Sequence, residues 1–225
     1  MQIGILQTGH APEALRAEHG DYPGMFARLF ADHDLTFRTW DVEGMSFPDS
    51  VHDAEGWLIT GSRHGVYEDH PFIPRLEAFI RQAYAQGVPM VGICFGHQII
   101  AQALGGRVEK FARGWSVGPK PYEIEGQCYT LNAWHQDQVI TPPEGAQTVG
   151  HNDFCAHAAL LYDTRAFTVQ PHPEFSRGYT DGLMTVRAPG IVPDPVLAEA
   201  RTRLDNPTDS AAMASRIARF FIERV

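Results

Sequence analysis

Cysteine is scarce in this chain: Cys94, Cys128 and Cys155 are the only thiols among 225 residues. Three scattered cysteines cannot form a disulfide framework or a cysteine-rich zinc site, and a reducing cytoplasm is the compartment expected to keep them free. Long hydrophobic runs are also missing; no window approaches the roughly 18 consecutive apolar residues of a membrane span. The opening Met1-Gln2-Ile3-Gly4-Ile5-Leu6 lacks the basic region, apolar stretch and cleavage site of a signal peptide, and reads as a first strand. Positive charge is the minority, 18 Lys and Arg against 27 Asp and Glu, for a net charge of -9. With no basic run to offset that, nonspecific binding to nucleic acid or an anionic membrane is excluded as an expectation. There is no internal repeat, low-complexity segment or interdomain linker. The histidines show no ligand spacing such as H-E-x-x-H, so no metal site is read from the sequence.

What is present suits a folded domain with a sizeable core: 44% hydrophobic and 20% charged residues. Gln2 to Gln7 predicts a strand, followed between about residues 12 and 31 by two short helices, or a loop and one helix, with Pro23-Gly24 as the interruption. Leu35 to Val42 alternates as a strand, and Gly56 to Thr60 is a third. Pro71 to Ala85 repeats Phe72, Ile73, Leu76, Phe79, Ile80, Ala83 and Tyr84 at helical spacing, with Gly87 as its stop. The alternation of strands and helices over residues 1–105 predicts a parallel sheet covered on both faces. In such a sheet ligands bind beyond the carboxyl ends of the strands, so the loops after Leu6, Thr60 and Ile93 should meet. Residues 106–175 change texture: Val108 to Ile124, Cys128 to Leu131, Val139-Ile140, Ala146 to His151 and Ala166 to Gln170 read as short strands. Residues 176–225 return to helix, the last one capped by Pro207-Thr208-Asp209-Ser210. The whole chain, 1–225, is expected to be one domain.

The stretch Val88 to Ala101 organises the rest. A buried apolar strand runs through Val88, Met90, Val91 and Ile93. It reaches Cys94 and continues into a helix carrying Ile99, Ile100, Ala103 and Leu104. Gly92 and Gly96 flank the cysteine at minus two and plus two, the logic of a G-x-S-x-G nucleophile elbow with sulfur for oxygen. Cys94 is therefore a candidate nucleophile, set against the alternative of a small core hydrophobe. A nucleophile needs a base, and the base an orienting group. Gln170-Pro171-His172-Pro173-Glu174-Phe175 offers both: in extended backbone His172 and Glu174 would point to one side. The alternative is a turn with a solvated ion pair. His135, with Asp137 two residues on, is a rival base or a residue lining the site.

Three motifs, G-I-C-F-G-H-Q, W-H-Q-D-Q-V and Q-P-H-P-E-F, in this order and spacing resemble the class I, triad-type glutamine amidotransferases. The similarity is to the stand-alone branch that resembles the amidotransferase domain of GMP synthetase, and it runs over nearly the whole chain. It implies a flavodoxin-like α/β fold: a mostly parallel sheet with helices on both faces and a small antiparallel strand region. It implies hydrolysis of the glutamine side-chain amide through a γ-glutamyl thioester, without a cofactor. By position it makes Cys94 the nucleophile, His172 the base and then acid, and Glu174 the orienting carboxylate. The oxyanion hole would use the backbone N–H of Phe95 and the loop Gly61-Ser62. Where many relatives have G-G-P, this chain has Gly61-Ser62-Arg63. Gln98, His135, Gln136 and Asp137 are similar to positions that hold the substrate's polar groups. The implied partner is glutamine or a γ-glutamyl small molecule. A separate synthetase subunit taking the ammonia, solitary hydrolysis of γ-glutamyl compounds, and a silent regulatory module are the open alternatives.

Overall fold

The computed structural model describes all residues from Met1 to Val225. Five parallel strands make one half of a nine-stranded sheet: β1 (Gln2–Gln7), β2 (Thr36–Asp41), β3 (Gly56–Ile59), β4 (Met90–Ile93) and, from far downstream, β11 (Ala166–Val169). The helices between them are α1 (Glu13–His19), α2 (Tyr22–Leu29), α3 (Phe72–Ala85) and α4 (Phe95–Ala103). The remaining strands are β5 (Arg107–Lys110), β6 (Ser116–Ile124), β7 (Gln127–His135), β8 (Asp137–Thr141), β9 (Gln147–His151) and β10 (Ala159–Tyr162). The sheet runs in the order β2-β1-β3-β4-β11-β10-β9-β6-β7, antiparallel from β11 onward, while β5 and β8 pair separately. Three helices complete the chain: α5 (Arg177–Val186), α6 (Asp194–Thr202) and α7 (Ser210–Glu223).

The two-residue period of the parallel strands sorts their apolar side chains onto two faces. Ile3, Ile5, Leu58, Val91, Ile93, Phe167 and Val169 bury against Met25 and Phe26 of α2 and Ile217 and Phe221 of α7. Leu6, Trp57, Ile59 and Met90 bury against Leu76 and Ile80 of α3 and Ile99 and Ile100 of α4. Both faces are covered, so these strands read as continuous apolar runs rather than alternating ones. The α/β class, the parallel half and the antiparallel addition all follow the expectation from sequence.

Several local boundaries differ, each for a physical reason. The break in the first helical region falls at Gly20, with φ 77°, and at Asp21, whose carboxylate accepts the Tyr22 N–H. Pro23 sits in the first turn of α2, where the missing N–H costs no helical bond. Val108 to Ile124 is two strands in two different sheets, β5 and β6, because the chain turns between Lys110 and Ser116. Strand β10 carries no alternation that would mark it beforehand; Ala159, Leu160 and Tyr162 are all buried. Asp209, read as a helix cap, instead directs its carboxylate to the Thr130 N–H at 2.7 Å, tying α7 to β7.

One contact fixes α4 on the sheet. A Cβ added at Gly96 would lie 2.2 Å from the carbonyl oxygen of Ile59, and one at Gly92 would lie 2.4 Å from the carbonyl oxygen of Gly96. Both neighbours are backbone, so neither can swing aside. Gly96→Ala should therefore lower unfolding stability by about 1–3 kcal/mol, the usual cost of overpacking. Urea unfolding measures it; an unchanged midpoint would show that α4 has room to lift.

Candidate active site

Cys94 stands between β4 and α4 with φ 53° and ψ -102°, a backbone state that a non-glycine residue rarely adopts. Such a residue costs on the order of 1–3 kcal/mol and persists only where its surroundings impose it. Here the Cys94 N–H donates to the Val169 carbonyl at 2.9 Å, and the Cys94 carbonyl accepts from the Gln98 N–H at 3.0 Å. Gly92 and Gly96 take no left-handed conformation. Their part is the close approach of helix to sheet, and the strain sits on the cysteine itself. The thiol ends up at the carboxyl edge of the parallel strands and at the N-terminus of α4, with Sγ 4.0 Å from the Trp134 carbonyl. As the first residue of α4, Phe95 has a backbone N–H with no carbonyl of that helix to bond.

His172 lies just past the end of β11, linked to β7 by a bridge to Asn132. The Asn132 carbonyl accepts the His172 N–H at 2.8 Å, and the Asn132 side-chain amide donates to the Phe175 carbonyl at 2.8 Å. His172 to Phe175 is a turn, with the Phe175 N–H donating back to His172 at 3.4 Å, rather than the extended backbone expected from its prolines. The outcome at the side chains is the expected one: Nδ1 of His172 meets Oε1 of Glu174 at 2.7 Å, both side chains buried. Phe175 stacks flat on the imidazole, centroids 3.9 Å apart and 6° between planes. Nε2 of His172 has no hydrogen-bond partner and is the nitrogen left free for a reacting group.

Burial by itself would push the His172 pKa down, but the Glu174 carboxylate and Cys94 outweigh it and raise it to about 10. The carboxylate therefore favours the protonated ring. His135 goes the other way: burial, with the charge of His172 beside it, lowers it to about 3 and keeps it neutral. It is not a rival base oriented by a carboxylate. Its Nδ1 faces the backbone carbonyl of Asp137 at 3.3 Å, while the Asp137 carboxylate accepts the Tyr67 hydroxyl at 2.9 Å. Cys155 is buried in the core, which raises its thiol to about 12. Cys128 is exposed on β7.

The facing loop, Gly61-Ser62-Arg63, comes directly against this pair. A Cβ on Gly61 would sit 2.9 Å from His172 Cε1 and 3.8 Å from Cys94 Cβ. The backbone N–H groups of Gly61, Ser62 and Arg63 make no hydrogen bond within the chain. Ser62 and Gln98, His135, Gln136 and Asp137 all line the cleft above Cys94. Gln98 is nevertheless already engaged: its amide donates to the Asp137 carbonyl at 2.9 Å and to Gln170 at 3.0 Å. Its first role is to hold the 135–137 loop in place, with only Oε1 left for a ligand. Sequence reading missed Arg63, Lys110, Trp134, Phe175 and Arg187 of the cleft wall, and Asn132 behind it. Trp134 and Phe175 stand inside the W-H-Q-D-Q-V and Q-P-H-P-E-F motifs and Arg63 beside Gly61-Ser62, whereas Lys110, Asn132 and Arg187 carry no motif of their own.

The raised pKa of His172 makes a signed prediction. Its protonation stabilises the fold fully below about pH 6.5, and that contribution is lost as pH rises through about 10. Glu174→Gln removes the largest influence holding the proton. The stability gap between wild type and Glu174→Gln should shrink as pH climbs from 6.5 towards 10, and His172 should titrate at lower pH in the variant. Unfolding curves across that range and proton NMR of the ring would check both; identical titrations in the two proteins would contradict the pairing.

Comparison with known proteins agrees with the fold and the motifs. The family model described as "Glutamine amidotransferase class-I" matches residues 35–186. A gamma-glutamyl peptidase of Arabidopsis thaliana is 26% identical over 190 residues, covering 78% of this chain and 77% of that protein. The glutamine-hydrolysing GMP synthase of Thermus thermophilus is 34% identical over 134 residues, 55% of this chain but 25% of the synthase. A solved glutamine amidotransferase from Methylobacillus flagellatus superposes with a TM-score of 0.74 at 22% identity, covering 100% of this chain and 92% of that one. No helix here is long and apolar enough to cross a membrane. With the family model spanning well over half of its length, the chain belongs to the class I glutamine amidotransferases.

Proposed function

We propose that this chain, acting as one domain over residues 1–225, hydrolyses a γ-glutamyl amide through a thioester on Cys94, with glutamine as the simplest substrate. The observation that carries the reading is the meeting of three groups from distant parts of the chain. A cysteine strained into an elbow faces a loop that also touches His172, and the imidazole is held by Glu174 at 2.7 Å. In the proposed sequence the thiol proton resides on His172 and the Cys94 sulfur attacks the amide carbon, forming a C–S bond. The carbonyl oxygen takes up the electron pair, and the Phe95 N–H with an amide of Gly61 or Ser62 receives it. His172 gives its proton to the amide nitrogen as the C–N bond breaks and ammonia leaves. Water then loses a proton to His172, adds to the thioester, and releases glutamate and the thiol. Thiol, imidazole, carboxylate and water suffice for the whole cycle.

A second reading keeps the same chemistry and changes the leaving group to an amino acid or peptide. The gamma-glutamyl peptidase likeness favours it, and so do the cations Arg63, Lys110 and Arg187 among the residues lining the cleft. Those cations could hold the carboxylate of a peptidyl leaving group. A separate synthetase subunit receiving ammonia is the corresponding proposal for the glutamine reading, supported by the GMP synthase likeness.

Incubation with diazo-oxo-norleucine should add mass at Cys94; addition at Cys128 or Cys155 would overturn the assignment. Release of ammonia from glutamine, compared with cleavage of γ-glutamyl dipeptides by the same chain, separates the two readings. Gly61→Ala should displace the imidazole by its 2.9 Å clash with Cε1. A misplacement of about 1 Å lowers turnover on the order of 100-fold. Wild-type turnover in Gly61→Ala would mean that the loop yields without disturbing His172.

A further inference from the structure

The loop that follows Gly61 gathers a second cluster that the amide chemistry does not use. His64, Glu68 and His70 each offer one ligand atom, and these atoms lie within 4.8 Å of one another. The sequence spacing H-x-x-x-E-x-H fits no helical ligand pattern, which is why no metal site was read from it. A turn, with the Glu68 N–H on the Gly65 carbonyl at 3.1 Å and the His70 N–H on the Glu68 carbonyl at 3.0 Å, folds the three together. Glu68 Oε2 is 2.8 Å from His70 Nε2 and 3.5 Å from His64 Nδ1. Ligand atoms about 2 Å from a tetrahedral zinc ion stand about 3.3 Å apart, close to the 3.5 Å pair, while the 2.8 Å pair is a hydrogen bond that would open by about 0.5 Å around an ion.

Three further observations favour an ion over a simple ion pair. His64 places its other nitrogen, Nε2, 2.7 Å from Glu43 Oε1, the carboxylate buttress that fixes the tautomer of metal-bound histidines. With Nε2 engaged by Glu43, Nδ1 of His64 is the nitrogen turned to the Glu68 carboxylate, and a shared cation would take the place of a proton between them. The His64 and His70 rings are also only 4.0 Å apart, which puts a nitrogen of each within reach of one ion. Phe72 underlies both rings, at 5.8 and 5.9 Å, and supplies the apolar shell that metal sites use to limit water.

We infer that His64, Glu68 and His70, backed by Glu43, form a site for a borderline divalent cation of the zinc class, with the fourth position open to water. The site is on the loop that presents Gly61 and Ser62 to Cys94, and His64 and Glu68 also line the cleft. An ion there would brace that loop from behind.

Titration calorimetry with zinc chloride tests it on a Cys94→Ala, Cys128→Ser protein, in which the two thiols nearest solvent can no longer take the metal. One equivalent should bind, and zinc should raise the melting temperature of that protein. In the same background, His70→Ala and Glu68→Gln should each weaken binding by about 10-fold or more, and Glu43→Gln by about 10-fold. Glu68→Gln keeps the side-chain volume, so it decides the matter should His70→Ala lose its far-ultraviolet dichroism. Absence of zinc binding in the doubly substituted protein, or equal affinity in Glu68→Gln, would overturn the site.

Discussion

The backbone-to-backbone approach of α4 onto β3 and β4 is the constraint on which the candidate active site depends. With no side chain at Gly92 or Gly96, the helix starts within van der Waals distance of the Ile59 carbonyl. A helix starting that close must receive its chain from β4 in a single sharp step, and Cys94 absorbs the step with φ 53°. The same geometry sets out the thiol, the unbonded N–H of Phe95, and the loop after β3 side by side at one end of the sheet. Sulfur, helix-start N–H and facing loop are thus consequences of one packing contact.

The opposing wall is assembled at greater electrostatic cost. Glu174 and His172 are an ion pair with almost no exposure, and such pairs repay their desolvation only with good geometry. Here the repayment comes from one 2.7 Å hydrogen bond, the flat stacking of Phe175, and the two bonds through Asn132, one from its backbone carbonyl and one from its side-chain amide. The pair also polarises its surroundings: the charge of His172 helps keep His135 neutral, so the cleft presents one ring that favours its proton and one neutral imidazole close together. The two rings shift in opposite directions through environment alone, since both residues are histidines.

Charge on the cleft rim is mixed. Arg63, Lys110 and Arg187 stand with Glu68 and Asp137 around the mouth, in a protein whose net charge is -9. Three cations among the residues lining one cleft of an acidic protein favour an anionic group there. The loop from Gly61 to His70 links this rim to the thiol, so whatever braces the loop also sets the distance between the facing amides and Cys94.

The residues by themselves determined the parallel half, the elbow at Cys94 and the chemical identity of His172 and Glu174. Those features are local: a strand-to-helix change of period, glycines at fixed offsets, and a carboxylate two positions from a histidine. Even there the reason was partly mistaken, because His172 and Glu174 meet across a turn and not along a strand. The tertiary structure alone decided that Gln98 spends its amide on the 135–137 loop, that His135 lacks a carboxylate partner, and that Asn132 and Phe175 hold the imidazole. It alone brought His64, Glu68 and His70 onto one point. Each of these depends on a hydrogen bond or a ring contact that no period of 2 or 3.6 and no local spacing displays.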